Sequence, residues 1–587
     1  MPHSCAPSSQ CPVVRLLSRY VPALDWGLHY NPHDLVGDVM AGTIVAVMLI
    51  PQGMAYAMLA GLPPQVGLYA SIVPLLIYAL LGTSRALAVG PVAMVSLLVA
   101  TSLSQVAAPG SPDYWAAALA LALMIGLIQV CMGLVRLGFI VNFLSHAVIV
   151  GFTNAAALVI GLSQLKHLMG IKIPQSESFF ETAHHLAQAA PDSNGVSLGL
   201  GLTSLAVLLF FNRHLPQVLS RWGVPPAWIG PVSRGGPLLV VITTIALVGL
   251  LNLDSRFGVA IVGDIPRGLP PLTYPPVDLT LWQRLLPTAL TISFVGFMES
   301  IAVAKSLASK RRQRIDANQE LIGLGAANLG AAFTGGYPVT GGFSRSIVNF
   351  SAGANTGLAS IITAGLVALV VVLFTPLFYN LPQAALAAVI LVAVINLLDF
   401  RSVGHLWRVS RSDAASLAIT FGAVLTLGIE AGIVVGFVAS VAFYLWRTSQ
   451  PHIAEVGRVG DSEHFRNVKR HPVHTCPGVL AIRIDESLYF ANSKYLEDYL
   501  MQAVAEHPTA NALVLICSAI NHIDGSALET LEALVDNFRE AGVTVYLSEV
   551  KGPVMDQLER ARFVQHLGGK ERIFLSTHQA IAALEQA

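Results

Sequence analysis

Charge is what this sequence most lacks. Asp, Glu, Lys and Arg together make up 12% of its 587 residues, about half of the ~25% usual in soluble domains. The balance is also even. Thirty-four basic and 34 acidic side chains leave a formal net charge of zero, so no basic excess points to a nucleic-acid partner. Cysteines are few (Cys5, Cys11, Cys131, Cys476 and Cys517) and none sits in a CxxC pair, so neither a disulfide framework nor a zinc site is indicated. The chain has no Walker-type phosphate loop, no nucleophile–base arrangement and no metal-ligand spacing, so an enzyme, a cofactor and a metal are not expected. Its first residues hold Pro2, Pro7 and Pro12 rather than a basic stretch and an apolar run, so a cleaved signal peptide is not expected either.

What is present is apolar. Hydrophobic residues reach 54% and mean hydropathy is +0.64. From about 38 to 447 the sequence is a series of apolar runs near the ~20 residues that cross a bilayer. Clear runs lie at 65–81, 86–106, 115–137, 140–162, 196–212, 236–253, 285–305, 357–378, 383–398 and 413–429. Shorter ones lie at 38–57, 319–333, 343–353 and 431–447, which brings the candidates to roughly fourteen. With a cytoplasmic N-terminus, the even-numbered connections hold the basic residues: Arg85, Arg136, Arg213, Arg221 and Arg234, then Lys305, Lys310, Arg311, Arg312 and Arg314, then Arg401, Arg408, Arg411 and Arg447. The odd connections hold mostly acids, such as Asp113, Glu177, Glu181, Asp192, Asp254 and Asp264. Both termini are then cytoplasmic, in a multi-pass protein of a bacterial-type plasma (inner) membrane.

After residue 450 the composition changes. Residues 478–485 and 511–519 read as short buried strands, and 526–540 as a helix closed by Gly542. The strand TVYLSEV and two more helical stretches follow, so the spacing predicts a small cytoplasmic α/β domain. The expected division is a cytoplasmic region 1–34, a membrane domain 35–450 and an α/β domain 451–587.

Two stretches of the membrane region are rich in glycine and proline, 83–97 (TSRALAVGPVAMVSL) and 334–353 (TGGYPVTGGFSRSIVNFSAG). Paired, broken segments in two halves of a chain point to a transporter site at the bilayer midplane. Each presents a half-helix N-terminus, whose free N–H groups attract an anion. The plainer reading is that Gly and Pro only allow close helix packing. Two charges also fall within apolar runs, Glu299 and Arg345. Such groups usually face a cavity and carry function. A carboxyl group out of water favours its neutral form and can carry a proton; an arginine fork matches an oxyanion. A structural ion pair between the two is the alternative. Lys305 and Asp38, near span ends, read as snorkelling or topological.

These stretches resemble a known family. Residues 50–97, IPQGMAYAMLAGLPPQVGLYASIVPLLIYALLGTSRALAVGPVAMVSL, are similar to the signature region of the SulP family, the sulfate permeases and multifunctional anion exchangers. Residues 299–350, from ESIAVAKSLASK to YPVTGGFSRSIVNF, resemble that family's second-half signature, and the C-terminal domain resembles its STAS domain. The resemblance implies an α-helical polytopic membrane protein of fourteen segments in two inverted seven-segment repeats. It also implies core and gate domains that move elevator fashion, and a homodimer in the lipid bilayer. By matching position it places the anion among Gln52 and Tyr56, the backbone of Pro91, Val92 and Ala93, and Ser344 with Arg345. Glu299 falls at the coupling carboxylate.

The contexts MESIAVAKSLASK and GGFSRSIVN look closest to plant-type proton/sulfate symporters. Sodium-coupled bicarbonate members tend to have aspartate in place of Glu299 and lack the Ser-Arg pair. The expected activity is secondary active transport, proton-coupled sulfate symport, with a bicarbonate or C4-dicarboxylate carrier coupled to Na+ or H+, or an uncoupled exchanger or channel, as alternatives. Pro51, before Gln52, is expected to break the first helix and expose the pocket, or else to be an ordinary kink. In the STAS-like domain Ser526 matches a serine that is phosphorylated in anti-sigma-factor antagonists. Here the DxSG pattern ends in Ala527, and Asp524 or Ser526 as a helix cap is the preferred reading.

Overall fold

A computed structural model describes residues 21–28, 30–139, 145–173, 179–225, 229–230, 232–233 and 235–586. Cys5, Cys11, Glu177, Arg234 and the prolines Pro2, Pro7 and Pro12 lie outside the described residues, as does most of the region 1–34. The chain divides into two compact units, Met1–Ser440 and Val441–Ala587.

The first unit is helical because lipid offers backbone groups no water, so each apolar run must satisfy its own hydrogen bonds. Among the described residues, eight helical stretches are long and apolar enough to cross a membrane, with shorter apolar helices at Ala93–Leu103, Gly236–Leu251 and Leu358–Leu373. The run at 65–81 is two helices, Pro64–Tyr69 and Val73–Leu81. The run at 285–305 is the middle of a longer helix, Leu279–Lys310. Helix Ala317–Phe333 packs on Pro112–Leu134 and on Val73–Leu81. Small residues permit that contact: a Cβ on Gly325 would meet the backbone N of Val130 at 2.7 Å.

Two expectations are corrected here. Pro51 does not break the first long helix, which runs unbroken from Asp34 to Leu59. Proline removes one backbone bond, and packing against neighbouring helices can hold a membrane helix through that loss. Asp38 is not a snorkelling residue. It is fully buried, accepting hydrogen bonds from the backbone N–H groups of Asn355 (2.6 Å) and Thr356 (3.1 Å) and from the Thr356 hydroxyl (2.6 Å). Lys305, by contrast, is exposed.

The two Gly/Pro-rich stretches come together. Each enters without helical structure, forms a two-residue strand, and then turns into a short helix. Strand β1 (Val89–Gly90) leads to Ala93–Leu103, and β2 (Thr340–Gly341) leads to Phe343–Ser351. The strands pair antiparallel, Val89 with Gly341 and Gly90 with Thr340. Non-helical backbone among membrane helices survives only where protein satisfies it. Asn328 does so by accepting from Val339 N–H (2.8 Å) and donating to Val339 C=O (3.0 Å).

The second unit is an α/β domain with a six-stranded sheet in the order β4-β3-β5-β6-β7-β8. These strands are β3 (Ile453–Arg458), β4 (Phe465–Asn467), β5 (Val479–Ile484), β6 (Ala512–Ile516), β7 (Thr544–Ser548) and β8 (Ile573–Phe574). The run from β5 to β8 is parallel. Apolar residues of helix Gly525–Glu540 (Leu531, Leu534, Val535, Phe538) fill the core against β6 and β7, and Gly542 follows the helix with φ of 79°.

Candidate anion site

Helix starts leave backbone N–H groups without partners inside the helix. Elsewhere in this chain side chains supply them: Ser111, Asp278 and Asp316 each accept from the first turn of the helix they open. At the two half-helices the residues before the first turn are Val92 and Gly342, and among the described residues neither start has a side-chain cap. Val92 and Ala93 thus sit, buried, at one free N-terminus, while Phe343 and Ser344 sit at the other. Two uncapped helix N-termini joined through a strand pair make an anion-attracting niche.

Arg345 closes that niche. Its side chain is buried, 3% exposed. Nη1 donates to the Pro91 carbonyl at 2.6 Å, which joins the second half-helix to the backbone ahead of the first. Nε and Nη2 are buried with no hydrogen-bond partner among the described residues. Glycine makes room for the fork, since a Cβ on Gly342 would lie 2.8 Å from Nη2. Buried guanidinium N–H groups without acceptors are costly, which makes this a candidate place for an anion.

Tyr56 is buried on the first long helix. Glu299 lies in helix Leu279–Lys310, and its Oε2 is buried with no hydrogen-bond partner among the described residues. No ion pair within 4 Å joins Glu299 to Arg345 among the described residues, which disfavours a structural salt bridge. Gln52 lies one turn before Tyr56, also buried. Ser344 is exposed at the start of its half-helix, next to the buried Arg345. Ser526 lies in the second unit, exposed in the first turn of its helix; the cap there is Asp524, which accepts from Ala527 N–H at 2.9 Å.

Several contributors were not singled out from sequence. Ser300, next to Glu299, shares a hydrogen bond with Thr340 (2.7 Å) and accepts from Gly341 N–H (2.9 Å). Tyr337 and Ser96 share a 2.8 Å hydrogen bond. Ser346 accepts from Ala88 N–H at 2.9 Å, and Asn349 donates to the Ala86 carbonyl at 3.1 Å. Gly296 and Ser300 recur at helical spacing along an apolar run, a pattern that could have marked the face turned to β2. Glu320, fully buried, accepts from Tyr78, from Thr83 (backbone and hydroxyl) and from Ser84. It anchors the start of the first Gly/Pro-rich stretch.

A model of the "Sulfate permease family" matches residues 35–420, and one of the "STAS domain" matches 471–580. A probable sulfate transporter 4.2 of Arabidopsis thaliana is 38% identical over 95% of this chain and 83% of its own. The high affinity sulfate transporter 2 of Stylosanthes hamata is 33% identical over 96% of this chain and 86% of its own. Among solved structures, the murine solute carrier 26 family member A9 anion transporter, in the inward-facing state, superposes with a TM-score of 0.89 at 25% identity. It covers 100% of this chain and 97% of that one. The transmembrane domain of a cyanobacterium bicarbonate transporter shares the fold at a TM-score of 0.57 and 23% identity, over 70% of this chain and 98% of that one.

Proposed function

The chain belongs to the sulfate permease family of membrane anion transporters, and on that premise we propose that it carries sulfate together with a proton. The observation that carries this reading is the buried Arg345, whose Nε and Nη2 have no hydrogen-bond partner among the described residues and lie between two uncapped half-helix starts. Sulfate, with tetrahedral oxygens and two negative charges, suits a fork plus converging N–H groups. The plant relatives named as sulfate transporters support the same substrate.

The coupling is electrostatic. An ionised Glu299 beside a dianion is repelled strongly where little water screens the charges. Protonation of Glu299 removes that repulsion, so anion and proton enter and leave as a set. Arg345 binds the anion while its bond to Pro91 fixes the fork. Gln52 and Ser344 offer neutral hydrogen bonds, and Tyr56 walls the pocket. The paired half-helices travel as one body in an elevator-type movement, within a homodimer of fourteen-segment, inverted-repeat protomers. In this reading residues 35–450 form the transport domain and 451–587 the STAS domain, with both termini cytoplasmic.

The test is labelled-sulfate uptake into proteoliposomes, with and without an inward proton gradient, for the wild type and Glu299→Gln. Gradient-driven uptake that the substitution abolishes supports symport. Sulfate flux indifferent to both makes the protein an exchanger or channel. No sulfate flux rejects sulfate and turns the assay to dicarboxylates, and to bicarbonate with sodium.

A further inference from the structure

The cluster Lys305, Lys310, Arg311, Arg312 and Arg314 reads from sequence as a topological signal, yet one member is built into the fold. Arg311 stands at the end of helix Leu279–Lys310, the helix that carries Glu299. Its Nη1 donates to the carbonyl of Ala354 and to Asn355 Oδ1 (3.0 Å), and its Nη2 donates to the carbonyl of Phe350 (3.3 Å). The guanidinium also lies 4.4 Å from the centre of the Phe350 ring. These carbonyls close the C-terminal end of Phe343–Ser351, the half-helix whose other end presents Ser344 and Arg345. A cation there satisfies the last carbonyls and complements the negative end of the helix.

The same short loop is held from the other side. Asp38, on the helix that carries Gln52 and Tyr56, accepts from Asn355 and Thr356. Gly37 and Gly353 make the approach possible, since a Cβ on Gly37 would lie 2.4 Å from the Gly353 carbonyl oxygen. One knot, residues 353–356, therefore ties together the three elements that carry Tyr56, Glu299 and Arg345. Ser300 and Thr340 tie the Glu299 helix to the start of the same half-helix.

We propose that Arg311, with Asp38, is a positioning residue of the anion site: it holds the second half-helix against the Glu299 helix so that Arg345 and Glu299 keep one fixed relation. Neither residue touches the anion; both act through the half-helix. The proposal rests on the reading of Arg345 and Glu299 as anion and proton groups.

Two readouts test it on the full-length protein. Amide hydrogen exchange over 343–356, measured without anion, reports the knot alone; the concentration dependence of sulfate uptake in proteoliposomes reports its effect on the site. Arg311→Ala is expected to speed exchange in that segment and to raise the KM for sulfate about tenfold, the scale of losing hydrogen bonds to a charged group. Arg311→Lys, a single ammonium in place of a fork, should restore only part of both. Arg314→Ala, which removes an exposed charge of the same cluster, should change neither. Unchanged exchange or an unchanged KM in Arg311→Ala, or equal effects from Arg314→Ala, overturns the proposal. If Arg311→Ala does not fold, Asp38→Asn takes its place, with faster exchange expected and unchanged exchange overturning. A wild type without sulfate flux would defeat the functional reading while leaving the exchange result to judge the knot.

Discussion

Replacing Arg345 by glutamine should remove most of the affinity for the anion. The guanidinium has one settled bond, to Pro91, and two buried N–H directions left for a ligand. A hydrogen bond to a charged group contributes about 1.5–3 kcal/mol, so two of them amount to roughly 3–6 kcal/mol, or about 10² to 10⁴ in affinity. Glutamine keeps a polar tip but loses the charge and the fork. Arg345→Lys keeps the charge, yet a tetrahedral ammonium cannot reproduce the planar fork that bonds Pro91 while gripping two oxygens side by side, so a loss of at least about tenfold is expected. Two assays read this. The concentration dependence of labelled-sulfate uptake gives the change in KM. The rise in Tm with added sulfate in detergent gives binding alone, because a ligand of the folded state at free concentration L stabilises it by RT ln(1 + L/Kd). A KM for Arg345→Lys within about threefold of wild type would refute the fork argument. So would a sulfate-dependent Tm rise in Arg345→Gln equal to that of the wild type.

Glu320→Gln should destabilise the membrane unit by about 2–4 kcal/mol, because an amide NH2 would replace an oxygen that accepts from Tyr78 or from Thr83 and Ser84; a detergent melt indistinguishable from wild type would contradict it. In the STAS domain, burial first and Glu549 second push the Cys517 thiol up to about 12, so it should resist alkylation at pH 8 until the protein is unfolded, as peptide mass spectrometry can check. Burial raises the Asp485 carboxyl, but hydrogen bonds from Arg483 and His452 outweigh it and leave it below its ordinary value. A carboxylate held low contributes stability that is present above its unfolded pKa of ~3.9 and is lost as pH falls through the folded value. Asp485→Asn should therefore cost about 1 kcal/mol or less at pH 7, given its partial exposure, and the difference from wild type should shrink in melts below pH ~4; a pH-independent difference would refute the linkage.

Much of the candidate site is legible in the sequence. Glycine and proline interrupt helices by local rules, so 83–97 and 334–353 stood out, and a lone Glu299 or Arg345 in an apolar run is conspicuous because hydrocarbon does not solvate charge. The strand and helix positions of the STAS domain followed from period and length, as with 526–540 against the observed Gly525–Glu540. The residues that hold the site were less legible. Asp38 and Arg311 look like ordinary span-end charges, and Ser300 and Asn328 look like ordinary small or polar residues in membrane helices.

By itself the sequence determined that the chain crosses a bilayer many times, ends in an α/β domain and breaks two helices near its site. These follow from composition and period, since in lipid an apolar run of sufficient length has few alternatives to a helix. The tertiary structure decided which of the buried polar groups meet. Two-residue strands such as β1 and β2 carry no period to read, and Glu320 finds Thr83 across 237 residues of chain. A polar side chain in a membrane helix has to find a partner, but which one it finds depends on the packing that brings distant segments within hydrogen-bond reach.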